Sequence, residues 1–144
     1  ARKLALTARV NQLNAQLMSI SQQQMDLANQ ISAKQNANNM RTAMANQQAL
    51  NIFQNSMQGI DSSSSDYQST FDTAQMTYNQ AMAQNTVAST MSDAEIQQLS
   101  QQDNALDMQR ETLETQLNAA SQELEQVKKA EESGIKNATP KYVG

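Results

Sequence analysis

The sequence contains no cysteine, no histidine and no tryptophan, and it has little proline, glycine or aromatic content. Without Cys, the chain has no disulfide framework and no thiolate nucleophile. Without His as well, it lacks the usual general bases and soft metal ligands. The carboxylate pair Glu111 and Glu114 is typical of an ordinary solvated helix surface. We therefore expect no catalytic, cofactor-binding or metal site, and a protein that is not an enzyme.

Long hydrophobic runs are also missing. A membrane-spanning helix needs about 20 mainly apolar residues, and no stretch of the chain approaches that, so we expect no membrane span. Arg2 and Lys3 precede a patterned segment that already contains Asn11 and Gln12, which is not the pattern of a cleavable signal peptide. If the protein leaves the cell, we expect it to use a route that needs no such signal.

The residues that are present favour helices. Ala, Leu and Met supply most of the apolar content and are strong helix formers, and Gln and Asn together number 37. Charge is uneven, with a net +4 over residues 1–60 and −8 over residues 61–144. This asymmetry favours packing of one half on the other. The basic half is too dilute and too poor in aromatics to predict a nucleic-acid surface.

Two stretches carry apolar residues at alternating three- and four-residue spacing, which gives a helix a single apolar seam. The first ladder consists of Leu6, Val10, Leu13, Leu17, Ile20, Leu27 and Ile31, with Gln24 as its polar position. The second consists of Ile96, Leu99, Leu106, Leu113, Leu117, Ala120, Leu124 and Val127. Asp103 and Arg110 occupy polar positions in this second seam. They are register candidates, and contact with an adjacent subunit is the alternative role.

Beyond Ile31 the apolar pattern weakens and then recovers. The weak stripe is Ala33, Ala37, Met40 and Met44, followed by Leu50, Phe53, Met57 and Ile60. A further helical face carries Tyr67, Phe71, Ala74 and Tyr78, which we interpret as core, an exposed recognition patch being the alternative. The part of this pattern from Met40 to Met57 has a second interpretation, as a surface that receives the apolar face of a foreign helix.

Turn and capping signals divide the chain. Gly59 and the Asp- and Ser-rich stretch after it predict a hairpin turn. Ser92 and Glu95 have the spacing of a capping box, and Gly134 precedes a tail that contains Pro140. The prediction is one elongated helical domain over residues 1–144, with an arm at 3–58, a turn at 59–66, a helix at 67–89, a break at 90–93, an arm at 94–133 and a tail at 134–144.

A turn near Ser62 places residue 31 near residue 93 and residue 6 near residue 118, so the two ladders meet. The predicted fold class is all-α, an elongated antiparallel helical hairpin or coiled coil with a bend. Such a hairpin buries little core, and we therefore expect polymerisation. Identical head-to-tail contacts that do not close a ring build a helical filament.

In layout, the chain resembles the helical filament proteins of flagellar and type III secretion systems: flagellin end regions, secretion needles and their coiled-coil filament extensions. The texture of Arg9–Asn14 and Leu113–Leu117 is similar to that of flagellin arms. The sequence departs from those families in lacking a globular middle domain and in the polar tail at Pro140–Gly144.

The resemblance implies a structural subunit of an extracellular or cell-surface filament, with itself as the main partner and export machinery or a chaperone as others. We expect export without a recognisable signal peptide, a cytoplasmic location being the alternative. The alternative function is a soluble coiled-coil adaptor or chaperone that binds a partner helix.

Overall fold

The computed structural model describes the backbone of residues 1–143 and the side chains of residues 1–134. Within these residues the regular structure consists of two helices, α1 (Arg2–Met57, 56 residues) and α2 (Tyr67–Val143, 77 residues). They pack against each other as an antiparallel hairpin, which confirms the predicted fold class of an all-α antiparallel hairpin. The sequence of α1 contains neither Pro nor Gly, so nothing within it interrupts the helical hydrogen-bond ladder.

Residues 58–66 connect the two helices, in the place where the sequence predicts a turn. Gly59 adopts a left-handed conformation with φ of 77°, which is the usual way to end a helix. The Asp61 carboxylate accepts a hydrogen bond from the backbone N–H of Ser63 at 3.3 Å. Hydrogen bonds from Ser63, the largest contribution, and from Ser62 hold the pKa of Asp61 below its usual value. The carbonyl of Asp66 accepts from the N–H of Thr70 at 2.9 Å and so opens α2.

The structure differs from the predicted break at 90–93 and from the predicted irregular tail at 134–144. α2 is continuous from Tyr67 to Val143, and Gly144 lies outside the described residues. Ser92 is half-buried in the middle of the helix, and Glu95 binds Lys34 on α1 at 2.8 Å instead of capping a new helix. Gly134 has no positive φ, so it does not make the left-handed turn that would stop the helix.

The chain forms two compact units. Unit 1 comprises Ala1–Leu27 and Gln102–Gly144, and unit 2 comprises Ala28–Gln101. In unit 1 the buried apolar side chains are Leu13, Ile20, Leu27 and Ala120, and in unit 2 they are Ala49 and Ala74. Three of these six residues are alanines, so each unit has a thin apolar core.

The aromatic residues of unit 2 cluster near the connection. Phe53 on α1 lies edge-on to Phe71, with ring centroids 6.0 Å apart, and edge-on to Tyr78 at 6.1 Å. Tyr67 stacks on Phe71 at 6.2 Å. These rings are half-buried around the buried Ala74, which agrees with the interpretation of this face as core. Such aromatic pairs add about 0.5–1.5 kcal/mol beyond their buried area.

Some contacts between the helices match the pairing that a turn centred on Ser62 predicts, such as Arg9 with Gln116, and others lie several residues further along α2. The sequence places residue 31 near residue 93. Lys34 comes later in α1 and is therefore expected to meet a residue before 93, but it contacts Glu95. In unit 1, Lys3 reaches Glu131 at 3.2 Å, well beyond the residues opposite it in the predicted pairing. Side chains lean toward the N-terminus of their own helix. In an antiparallel pair this lean favours contacts with later residues of α2.

Candidate assembly surface

Both predicted ladders lie in the seam between α1 and α2. In unit 1 the ladder residues Leu13, Ile20, Leu27 and Ala120 are buried, and Leu6, Val10, Leu17, Leu106, Leu113, Leu117, Leu124 and Val127 are half-buried. In unit 2 the ladder residues Ile31, Ile96 and Leu99 are half-buried. The two ladders therefore pack against each other within one chain.

Beyond Ile31 the seam does not follow the predicted weak stripe. Ala33, Ala37, Met40 and Met44 are all exposed. The seam instead keeps its three-four spacing through Lys34, Asn38, Arg41, Ala45 and Ala49, which are half-buried or buried. The weak stripe was the wrong continuation because a regular helix cannot change the phase of its buried face without a local distortion. The phase set by Leu27 and Ile31 therefore continues even where the residues are polar.

A polar layer, which sequence reasoning missed, fills this part of the seam in unit 2. The Nη1 of Arg41 donates to Oδ1 of Asn85 at 2.8 Å, and Nη2 donates to Oδ1 of Asn38 at 2.9 Å. The Nδ2 of Asn85 donates to Oδ1 of Asn46 at 2.7 Å. Asn38 also donates to the hydroxyl of Ser89 at 3.3 Å. If the three- and four-residue spacing of the first ladder is continued past Ile31, it predicts that positions 38 and 41 lie in the seam, and this would have revealed the polar layer.

A second polar group interrupts the seam of unit 1. The Nε2 of Gln24 donates to Oδ1 of Asp107 at 2.6 Å, and Arg110 pairs with Asp107 at 3.1 Å. Arg110 also approaches Glu114 at 3.8 Å and donates to Oε1 of Gln24 at 3.4 Å. Of the two register candidates, the structure brings Arg110 into this group, and Asp103 lies half-buried in the same seam outside it.

Charge pairs join the basic helix to the acidic one. In unit 1, Arg2 lies 3.9 Å from Glu123, and Lys3 binds Glu131. In unit 2, Lys34 binds Glu95. These partners are about half exposed, so each pair contributes about 0–1 kcal/mol to stability. They favour the pairing of α1 with α2, because every one of them joins a base on α1 to an acid on α2.

Two exposed apolar faces remain in unit 2. The α1 outer stripe is Ala33, Ala37, Met40 and Met44, and the exposed fractions of its methionines are 65% and 70%. The α2 outer stripe is Met76, Ala83, Val87 and Met91, with 59–63% exposure of its three larger residues. Sequence reasoning missed the α2 outer stripe, although its spacing of seven, four and four residues was a usable signal.

Unit 1 has an open groove beside its seam. The groove has a volume of about 530 Å³ and is lined by Ile20, Leu113 and Met108, with Gln16 and Gln109 among the polar residues at its edge. A groove of this kind suits an apolar side chain from a neighbouring helix. It offers no grouping of charged residues for chemistry.

Chemically, the described surface is suited to contacts between helices. Within the part of the chain that the structure describes, no three His, Cys, Asp or Glu side chains converge to hold a metal ion. No described helix has a stretch long and apolar enough to cross a membrane. The comparisons add no relative: no family model matches the sequence, and neither curated proteins nor solved structures give a match.

Proposed function

We propose that this chain is a structural subunit of a helical extracellular filament or tube, built from many copies. The proposal rests on one observation. Among the described side chains, the number of large apolar residues that are exposed is greater than the number of apolar residues that are buried. Eleven large apolar side chains are 41–75% exposed, whereas six apolar residues are buried. Exposed apolar residues mark an interaction site where they share one face, as they do on the α1 outer stripe and the α2 outer stripe.

The accessible surface supports the same conclusion. The chain exposes 10575 Å², whereas a compact monomer of 15.9 kDa exposes about 7,300 Å² by the usual scaling with mass. A chain that folds by itself normally hides more of its surface. Neighbouring copies would cover part of the excess, and with it the apolar residues that the hairpin leaves exposed.

In this proposal the two ladders build the subunit and the outer faces build the assembly. The heptad-patterned arms stabilise each other within the chain, through the seam centred on Leu13, Ile20 and Leu27. Copies then associate through apolar residues such as Met40 and Val87, which the seam does not use. The resemblance to exported filament proteins supports an extracellular location. It also suggests export machinery and a chaperone as further partners.

Electron microscopy of the purified protein tests the proposal. Protein at high concentration, examined at several salt concentrations, is expected to form filaments or tubes of uniform diameter. Sedimentation of the same samples gives the fraction of protein in the assembly. Monodisperse monomers or dimers under all conditions contradict the proposal.

A second function, a soluble adaptor or chaperone that binds a partner helix, is favoured by the exposure of Met40 and Met44. Flexible methionine side chains adapt to different apolar partners. Phe53 and Met57, which belong to the same predicted recognition surface, are half-buried, so only part of that surface is free for a partner. Light scattering separates the two functions, since an adaptor stays a small oligomer and retains a specific co-purifying protein.

A further inference from the structure

We infer that α2 contains a hinge segment, residues 85–92, which is helical in the closed hairpin and unwinds when unit 2 opens locally. Ser92 then caps the helix that continues from Asp93, so the loss of helix is confined to about two turns. The inference concerns a single chain and does not depend on the assembly of copies. It goes beyond the proposed function, because it assigns a conformational change to the subunit itself.

The seam opposite the hinge segment is held by polar contacts. Over residues 34–45, α1 presents no apolar residue larger than alanine to the seam. Three hydrogen bonds join the two helices there, from Arg41 to Asn85, from Asn85 to Asn46 and from Asn38 to Ser89. When the helices separate, these groups exchange their partners for water, so each bond stabilises the closed state less than a buried leucine does.

The hinge segment is also a poor helix former by itself. Six of its eight residues are Asn, Ser, Thr or Val, which lose side-chain freedom in a helix or compete for its backbone hydrogen bonds. The hydroxyl of Thr86 donates to the carbonyl of Met82 at 3.0 Å, and that of Thr90 donates to the carbonyl of Thr86 at 3.0 Å. Hydroxyl bonds of this kind slightly weaken a helix and often bend it. The backbone of this segment therefore depends on the seam to stay helical.

Apolar contacts bracket the hinge segment within unit 2. On its N-terminal side, the ring of Phe53 lies 6.0 Å from that of Phe71 and 6.1 Å from that of Tyr78. On its C-terminal side, Ile96 and Leu99 are half-buried in the seam. Proteins open locally where buried apolar contacts are few, while better packed parts stay closed. The helix on both sides of the hinge segment is therefore expected to persist when the segment unwinds.

Ser92 and Glu95 supply a helix start at the end of the hinge segment. In the closed hairpin α2 is uninterrupted there, and Glu95 binds Lys34 instead. Once the segment unwinds, the hydroxyl of Ser92 can accept from the N–H of Glu95, and the carboxylate of Glu95 can accept from the N–H of Ser92. Asp93 and Glu95 then lie at the positive end of a helix dipole, where acidic residues are favourable. The capping box therefore stabilises the open state and stops the unwinding at Ser92.

Hydrogen exchange followed by mass spectrometry tests the hinge segment on the full chain at low protein concentration. The reference is residues 113–120 of α2, in which only two of eight residues are Asn, Ser, Thr or Val and which contribute Leu113 and Leu117 to the seam. After correction for intrinsic exchange rates, amides of residues 85–92 are expected to exchange about tenfold faster than the reference, or more. Equal protection of the two segments overturns the inference.

A second measurement separates a capped hinge from a segment that is merely weak. Ser92→Ala removes the cap and raises helix propensity, so exchange in residues 85–92 is expected to slow by about tenfold. Thr90→Ala is the matched control, because it raises the propensity of the same segment and removes no cap. It is expected to slow exchange by about threefold.

Ser92→Asn keeps a side chain that caps helices well, and it is expected to exchange at the wild-type rate or faster. Equal slowing by Ser92→Ala and Thr90→Ala overturns the inference, as does a Ser92→Asn variant that is as protected as Ser92→Ala. These results are independent of filament formation. A chain that never forms filaments contradicts the proposed function, whereas the exchange rates alone decide whether α2 has this hinge.

Discussion

Arg41 on α1 and Asn85 on α2 are joined by a hydrogen bond of 2.8 Å from Nη1 to Oδ1, within the seam of unit 2. Asn85 is 8% exposed and is the one buried polar residue among the described side chains. Buried polar groups in a helical seam can fix the register of the pair, since a shifted register leaves them without partners. The bond therefore gives this part of the seam a preferred alignment that its alanines alone do not impose.

The first prediction concerns this polar layer. Asn85→Ala removes the acceptor of Arg41 Nη1 and the donor to Asn46, and it leaves Nη1 of the half-buried Arg41 without its acceptor. We expect the free energy of unfolding to fall by about 1–3 kcal/mol, measured by urea denaturation followed by circular dichroism. Asn79→Ala, the same change at an exposed position on the same helix, is expected to stay within about 0.5 kcal/mol of wild type. Equal effects of the two changes would show that the layer has no special role.

The second prediction concerns the best-buried side chain of unit 1. Leu13 is 0% exposed, so Leu13→Ala removes apolar contacts and leaves a cavity in a thin core. We expect a loss of about 2–5 kcal/mol, read from the shift of the denaturation midpoint. Leu4→Ala changes a 75% exposed residue of the same helix and is expected to change stability by less than about 0.5 kcal/mol. A small loss for Leu13→Ala would contradict the position of the seam.

The third prediction uses two glycines in different conformations. Gly59→Ala forces an L-residue into the left-handed region at φ of 77°, and we expect it to destabilise the hairpin by about 1–2 kcal/mol. A Cβ at either glycine meets no atom within 4 Å, so steric clashes do not enter. Gly134→Ala, within α2, is expected to stabilise by about 0.5–1 kcal/mol. Thermal unfolding of the two variants is expected to give shifts of opposite sign.

The fourth prediction concerns the pH dependence of the connection. The pKa of Asp61 is lowered in the folded chain, chiefly by the backbone N–H of Ser63. A lowered folded pKa means that this stabilisation is present above the unfolded value, 3.8, and is lost as pH falls through the folded pKa. NMR titration is expected to show Asp61 titrating below 3.8, with the amide signal of Ser63 shifting in parallel. An Asp61 carboxyl that titrates above this value would contradict the hydrogen-bonded turn.

The seam of unit 1 was predictable from sequence because its apolar residues keep one strict spacing. From Leu6 to Leu27, sequence and structure select the same face of α1. Past Ile31 the apolar residues no longer lie on the face of α1 that the helical phase buries. A prediction that follows the apolar residues therefore selects Met40 and Met44, which are exposed. The helix keeps its phase because the seam on either side fixes it, and the hydrogen bonds of Asn38 and Arg41 satisfy the polar groups that this phase brings inside.

Local signals were less reliable than the seam. Ser92 and Glu95 match a capping box, but the seam continues on both sides of them, from Ala88 to Ile96, and α2 is uninterrupted there. Glu95 finds Lys34 on the other helix. The spacing of the α2 outer stripe is visible in the sequence, but whether its residues are buried or exposed depends on where the partner helix lies.

The short connection formed by residues 58–66 also sets how α1 chooses its partner helix. A short tether holds α2 near α1 at an effective concentration in the millimolar range. Below about millimolar protein, α1 therefore pairs with the α2 of its own chain, and the subunit is complete before it meets a second copy. At much higher local concentrations, such as those in an inclusion body or a dense precipitate, exchange of α2 between chains becomes competitive. Purification and refolding at low concentration would therefore favour the hairpin over swapped dimers.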